Sequence, residues 1–159
     1  MGEQAQALAN RLEQVNNALI ATVEQCSEAD WHKHSANDAR PVGVIVHHLA
    51  STHEAVLGMA QGVSAGQPLP DLTWEMVHAG NAEDAGQYAG CTKVETLDLL
   101  RRNSAEAVRA IREVSDEQLA RTSTWDLDGA VTTQQVIELH MIDHVQEHLA
   151  TLQAAMHAR

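Results

Sequence analysis

The chain contains no phenylalanine, only two cysteines and few basic residues. Lys and Arg number 10 against 22 Asp and Glu, which gives a net charge of −12 at pH 7. This charge repels phosphate backbones and anionic lipids, so binding to nucleic acid or to a membrane surface is disfavoured. No run approaches the roughly 20 apolar residues that cross a bilayer, and the polar N-terminus does not have the pattern of a secretion signal.

The two cysteines, Cys26 and Cys91, are too few for a disulfide framework in a chain of 159 residues. A chain of this size can bury one hydrophobic core without covalent cross-links. We therefore expect a single domain over residues 1–159, located in the cytoplasm with both thiols reduced.

Hydrophobic spacing predicts an amphipathic helix from about Glu3 to Gln25, because apolar residues recur at intervals of three and four. A second apolar stripe follows Pro41, which suits the first position of a helix, and ends near Gly62.

Two capping-box patterns, which begin at Thr92 and Thr132, predict the starts of helices three and four. The predicted apolar face of helix three consists of Val94, Leu97, Leu100, Val108 and Ile111. The fold class expected is therefore an all-α four-helix bundle.

The segment from Gln61 to Gly90 is long and rich in Gly and Pro, with a short helical candidate around Trp74 to Ala79. Such a connection can carry the chain back along the bundle. Helix three then runs parallel to helix two, which gives an up-down-down-up order with a crossover between these two helices. In that order, helices two and four are antiparallel.

Histidine is unusually frequent, with ten residues. Helix four carries three of them, His140, His144 and His148, at successive spacings of four, which places imidazoles one helical turn apart where two of them can hold one ion. The zinc-protease helix uses the same spacing but needs a glutamate after the first histidine of its pair. Val145 occupies that position, so a zinc protease is excluded.

Helix two offers His47 and His48 as sources of a third ligand. His48 lies on the apolar stripe, whereas His47 lies about 100° around the helix, so His48 is the better candidate. The antiparallel arrangement can bring His48 level with His144 and His148. Three protein ligands leave positions open on an ion, as in catalytic sites.

The spacing also fits an alternative without metal, since histidines on helix faces are usually core or surface residues. The remaining histidines are interpreted as surface or pocket-edge residues, with His53 the first choice among them to line a site: His32, His34, His53, His78 and His157.

Two segments resemble the DinB/YfiT-like family of metalloenzymes, most closely its YfiT branch. They are Val44-Ile-Val-His-His-Leu-Ala-Ser-Thr-His53 and Asp143-His-Val-Gln-Glu-His-Leu-Ala-Thr-Leu152. The order of elements, including the crossover with Trp74, is also similar. The chain departs from the family at Ala39-Arg40-Pro41, where a tryptophan usually precedes helix two.

The resemblance implies an up-down-down-up bundle and a nickel or zinc ion held by three histidines. The family's first ligand directly precedes the leucine of helix two, which corresponds to His48. Its His-x-x-x-His pair corresponds to His144 and His148 rather than to His140 and His144. The resemblance assigns no catalytic residue.

The resemblance implies a thiol-dependent S-transferase or isomerase, or a metal-dependent hydrolase. The sequence has no glutamate after His144, no Gly-x-Ser-x-Gly elbow and no glycine-rich phosphate loop, which favours thiol transfer. The expected function is transfer of a low-molecular-weight thiol to an electrophilic small-molecule substrate. The alternatives are a hydrolase and a non-catalytic metal-binding stress protein, and a homodimer through an apolar helix face is one further option.

Overall fold

The computed structural model describes residues 2–157, which are mostly helical. The elements, in chain order, are α1 (Glu3–Gln25), α2 (Glu28–Trp31), α3 (Val42–Ser64), α4 (Trp74–Gln87), α5 (Lys93–Arg112), α6 (Asp116–Leu119), β1 (Thr122–Trp125), β2 (Gly129–Thr132), α7 (Thr133–Ile137), a π-helical segment (Glu138–Asp143) and α8 (His144–His157). Helices one to four of the predicted bundle correspond to α1, α3, α5 and the continuous run from α7 to α8.

Helices α1 and α5 are antiparallel, as two ion pairs between them show. Arg101 contacts Glu24 near the end of α1 at 2.5 Å, and Arg112, at the end of α5, contacts Glu13 at 2.7 Å. A later residue of one helix thus pairs with an earlier residue of the other.

Helices α3 and α5 are parallel. The Cys91 thiol, just before α5, donates to the carbonyl of Gly43 at the start of α3, and Asn103 Nδ2 donates to the carbonyl of Ala50 further along. Because α1 is antiparallel to α5, the first three bundle helices follow the order up, down, down.

The last bundle helix runs parallel to α1, because Arg11 near the start of α1 contacts Glu138 near the start of the last helix at 2.6 Å. The up-down-down-up order is therefore confirmed. None of the helices within residues 2–157 is long and apolar enough to cross a membrane.

The core lies between the four bundle helices and is built from the predicted apolar stripes. Its largest fully buried aliphatic side chains are Leu12, Leu19, Ile45, Leu49, Leu100, Ile111, Leu119, Ile137, Met141, Ile142 and Leu152. Val94 does not belong to it, because this residue lies in the first turn of α5, at one end of the bundle, and is 71% exposed. Trp31 and Trp125 are buried, whereas Trp74 is 49% exposed.

Three details of the predicted helices differ in the structure. Pro41 is the N-cap of α3 rather than its first helical residue, in extended backbone that proline favours. The helix predicted to end near Gly62 continues to Ser64. The short candidate in the crossover is a 14-residue helix, α4, and no residue of Trp74–Gln87 is buried, so no apolar stripe indicated its length.

Strands β1 and β2 form an antiparallel hairpin that the sequence did not predict. Each strand has only four residues, too few for a clear alternation of apolar and polar side chains. Gly129 closes the hairpin with a φ of 74°, a conformation that suits glycine. Trp125 and Val131 attach the hairpin to the core.

The last bundle helix is not a regular α-helix throughout, because Glu138–Asp143 form a π-helical segment. A π turn holds about one residue more than an α turn, and such segments are frequent at functional sites. His144 is the first residue after this segment.

Candidate metal centre

Three histidines from two antiparallel helices meet beside the core: His48 of α3, and His144 and His148 on successive turns of α8. We call them the three-histidine cluster. One ring nitrogen from each lies within 4.8 Å of the other two, and Nε2 of His48 is 3.2 Å from Nε2 of His144. His48, and not His47, therefore faces the pair.

The closest pair of nitrogens in the cluster has the spacing of two ligands on one divalent ion. Zinc binds imidazole nitrogen at about 2.0–2.1 Å, which separates two ligands of a tetrahedral site by about 3.3 Å. The distance of 3.2 Å between Nε2 of His48 and Nε2 of His144 is close to that value. With three protein ligands the cluster could hold zinc or nickel and leave a position free for a substrate.

Burial keeps the cluster uncharged. Burial lowers the pKa of His48 to about 4, and burial together with the neighbouring rings of His148 and His48 lowers the pKa of His144 to about 3. Burial also lowers the pKa of His148. All three rings are therefore neutral at pH 7, and each has a nitrogen lone pair available for a cation.

The sequence analysis did not identify two residues beside the cluster, Asp38 and Arg40. Oδ2 of Asp38 lies 3.6 Å from Nδ1 of His148. The guanidinium of Arg40 contacts both carboxylate oxygens of Asp38, with Nη2 at 2.7 Å from Oδ2. This contact holds the pKa of Asp38 below its usual value. Both residues lie in the loop where the sequence departs from the family pattern. That departure is the feature of the sequence that could have directed attention to them.

His140 lies outside the three-histidine cluster. Its Nε2 lies 2.5 Å from Oδ2 of Asp128, and its ring contacts Trp125 edge-on at 5.0 Å between centroids. His140 lies within the π-helical segment, and His144 is the first residue after that segment. His47 stacks on Tyr88 at 3.8 Å between ring centroids.

His53 is a core residue and does not lie at the surface or at a pocket edge, where we expected it. It is 2% exposed, with Nδ1 2.6 Å from the carbonyl of Leu49 and Nε2 2.8 Å from the side-chain amide of Asn16. Burial lowers its pKa, so the ring is neutral, donates from Nδ1 and accepts at Nε2. The atom of Asn16 that lies at 2.8 Å from Nε2 is Oδ1, and exchanging the amide oxygen and nitrogen, which have nearly the same shape, gives a partner both to Nε2 and to the otherwise unpaired Nδ2.

The other four histidines outside the cluster and its neighbours are exposed, as expected: His32, His34, His78 and His157.

Cys26 and Cys91 are both free thiols at the same end of the bundle. Lys93 Nζ at the start of α5 donates to the Cys26 carbonyl at 2.5 Å, which places the end of α1 beside the start of α5. Neither cysteine belongs to the three-histidine cluster. Burial raises the pKa of both thiols, so neither is an activated thiolate.

The fold and the cluster together define a four-helix bundle with a candidate metal site between two antiparallel helices. The chain is a member of the DinB superfamily, whose family model matches residues 11–152. No functionally curated protein matches it by sequence.

Two solved structures share the fold. YfiT from Bacillus subtilis, described as a probable metal-dependent hydrolase with an unusual four-helix bundle topology, is 18% identical with a TM-score of 0.77, covering 98% of this chain and 87% of YfiT. The mycothiol-dependent maleylpyruvate isomerase is 16% identical with a TM-score of 0.74, covering 94% of this chain. The chain spans 60% of the length of that isomerase.

Proposed function

We propose that His48, His144 and His148 bind one divalent ion, zinc or nickel, and that the protein is a metal-dependent enzyme acting on a small molecule. One observation carries the proposal: three neutral imidazoles, each with a nitrogen within 4.8 Å of the other two, meet beside a hydrophobic core. Without an ion, the Nε2 atoms of His48 and His144 can share one hydrogen bond at 3.2 Å, whereas a divalent ion would engage a nitrogen of all three rings.

The reaction proposed is transfer of a low-molecular-weight thiol to an electrophilic carbon. The thiol loses its proton to solvent, its sulfur forms a bond to the carbon, and the leaving group departs with the electron pair of the broken bond. A bound divalent ion lowers the pKa of a coordinated thiol or water, and so supplies the nucleophile at neutral pH. Because burial raises the pKa of Cys26 and Cys91, the sulfur comes from a cosubstrate rather than from the protein.

The carboxylate beside the cluster is already paired with a guanidinium, which favours a thiol over water as the nucleophile. Among residues 2–157, the carboxylate in contact with the cluster is Asp38, and Arg40 engages both of its oxygens. A carboxylate held in this way is a weak base, and a water nucleophile gains most from a free base beside it. The likeness to an isomerase named as mycothiol-dependent supports the same choice.

A metal-dependent hydrolase is the second candidate, because YfiT is described as one and shares the fold over 98% of this chain. The same three histidines would hold the ion, and water would replace the thiol. A metal-binding protein without turnover is the third reading, and the following experiment separates all three.

The test incubates zinc- and nickel-loaded protein with a small thiol and an electrophile such as a chlorinated nitrobenzene, and in parallel with ester and amide substrates. We expect metal-dependent formation of the thioether product, lost in His144→Ala. Ester or amide cleavage without thioether formation would establish the hydrolase. Stoichiometric metal without either activity would support the non-catalytic alternative.

A further inference from the structure

The loop between α2 and α3 places a largely buried acid–base pair behind the ring of His148. The side chain of Asp38 is only 14% exposed and that of Arg40 only 20%. Asp38 Oδ2 faces His148 Nδ1 at 3.6 Å. A carboxylate loses hydration when it is covered in this way, and Arg40 compensates the loss with two contacts.

The loop backbone fixes where Asp38 lies. Ala39 has a φ of 59°, a left-handed conformation that costs a residue other than glycine about 1–2 kcal/mol. Its N–H donates to the carbonyl of Ser35 at 2.9 Å, and its carbonyl lies 2.8 Å from Nδ1 of His34. Such strain persists where surrounding contacts determine the conformation, and functional sites are where it is usually found.

We propose that Asp38 is a positioning residue for His148: its carboxylate holds the proton on Nδ1, so Nε2 keeps its lone pair for the ion, and Arg40 holds Asp38 in place. The part that concerns the ion depends on the proposed function. The part that concerns the proton is a property of the chain by itself.

The physical basis is electrostatic. At 3.6 Å the contact is longer than a hydrogen bond, but the negative charge still favours the tautomer whose N–H points toward it. Histidines that ligate metals usually direct their second ring nitrogen at a carboxylate or carbonyl, and losing that partner costs about 10–100-fold in metal affinity.

The first test measures zinc affinity by competition with a chromophoric chelator, with circular dichroism as the check on folding. We expect Asp38→Ala to weaken binding by about 10–100-fold. Glu147→Ala is the matched control, because it removes the same charge from an exposed residue next to His148, and we expect it to change affinity less than about threefold. Equal effects of the two substitutions would overturn the proposal.

Asp38→Ala also leaves the charge of Arg40 without a partner near the cluster, so a double variant separates charge from positioning. Asp38→Ala/Arg40→Gln has the net charge of the unmodified protein. We expect its zinc affinity to stay low, because no carboxylate faces Nδ1. Recovery to the affinity of the unmodified protein would show that charge alone was responsible and would overturn the proposal.

Nitrogen NMR of the imidazole rings in the metal-free protein provides an independent readout. We expect His148 to be predominantly the Nδ1–H tautomer, and to shift toward Nε2–H in Asp38→Ala. An unchanged tautomer ratio would overturn the proposal even if zinc binds. If the unmodified protein binds no metal but the ratio shifts, the proposed function fails and the positioning role stands.

Discussion

Two histidine sites on α3, one buried and one partly buried, differ in how their ring nitrogens are used. His53 has a partner for each nitrogen, a backbone carbonyl at Leu49 and the amide of Asn16. His48, five residues earlier on α3, turns Nε2 toward another imidazole nitrogen, that of His144. Both rings are neutral because burial lowers their pKa.

The comparison shows that burial and a lowered pKa do not by themselves indicate a metal site. His53 satisfies its hydrogen-bonding capacity within the protein and therefore acts as a structural residue. In the three-histidine cluster, one nitrogen of each ring faces the nitrogens of the other two rings, an arrangement in which a cation can bind all three. The predictions below test this difference.

The largest effect is expected from removing a cluster histidine. His144→Ala should reduce the metal content from about one ion per chain to nearly none, because two remaining imidazoles bind zinc or nickel weakly. Elemental analysis after dialysis measures this. His53→Ala and His47→Ala should keep their metal, and loss of metal from His53→Ala would remove the distinction between the two sites.

Removal of His53 should instead reduce stability. His53→Ala leaves a cavity and an unpaired amide at Asn16, so we expect the free energy of unfolding in urea to fall by about 2–4 kcal/mol. His47→Ala, whose ring packs on Tyr88 at the edge of the bundle, serves as the reference and should cost less than about 1 kcal/mol. A smaller loss in His53→Ala than in His47→Ala would contradict the structural role.

Acid should destabilise the metal-free protein through both sites. The folded-state pKa values of His48 and His144 are about 4 and about 3, below the unfolded value of about 6.5, so the unfolded chain binds more protons between these limits. The contribution of these histidines to the free energy of unfolding should be complete above about pH 6.5 and should decline as the pH falls toward 4. Each such histidine adds up to about 1.4 kcal/mol per pH unit to the slope.

Urea denaturation at a series of pH values checks this, and His144→Ala should have a shallower slope. Bound zinc should move the decline to lower pH, because protons then compete with the metal for the same lone pairs. A metal-free protein whose stability does not change between pH 6.5 and 4 would contradict the neutral, buried state of these rings.

The smallest effect is expected at His140. Asp128→Asn weakens the contact of 2.5 Å between Asp128 and His140. Because both side chains are partly exposed, the free energy of unfolding should fall by no more than about 1 kcal/mol. Metal content should not change in Asp128→Asn or in His140→Ala. If His140→Ala lost the metal and His148→Ala retained it, the ion would lie one turn earlier on the last helix.

Local patterns in the sequence determined the four bundle helices. Helix α1 spans Glu3–Gln25 as predicted, and the capping box at Thr132 forms with both of its hydrogen bonds. These signals work because helix starts and amphipathic faces depend on residues three or four positions apart. The spacing of His144 and His148 is a signal of the same kind.

Tertiary structure decided the contacts between residues that lie far apart in the sequence. Asp38 and His148 are 110 positions apart, and His53 pairs with Asn16 across 37 positions, so no short-range pattern could connect them. His140 has the same spacing from His144 as His148, yet it contacts Asp128 beside the hairpin and does not join the cluster. Residue types and spacing therefore determined which side chains were candidates, whereas packing determined which nitrogens meet each other and which find partners elsewhere.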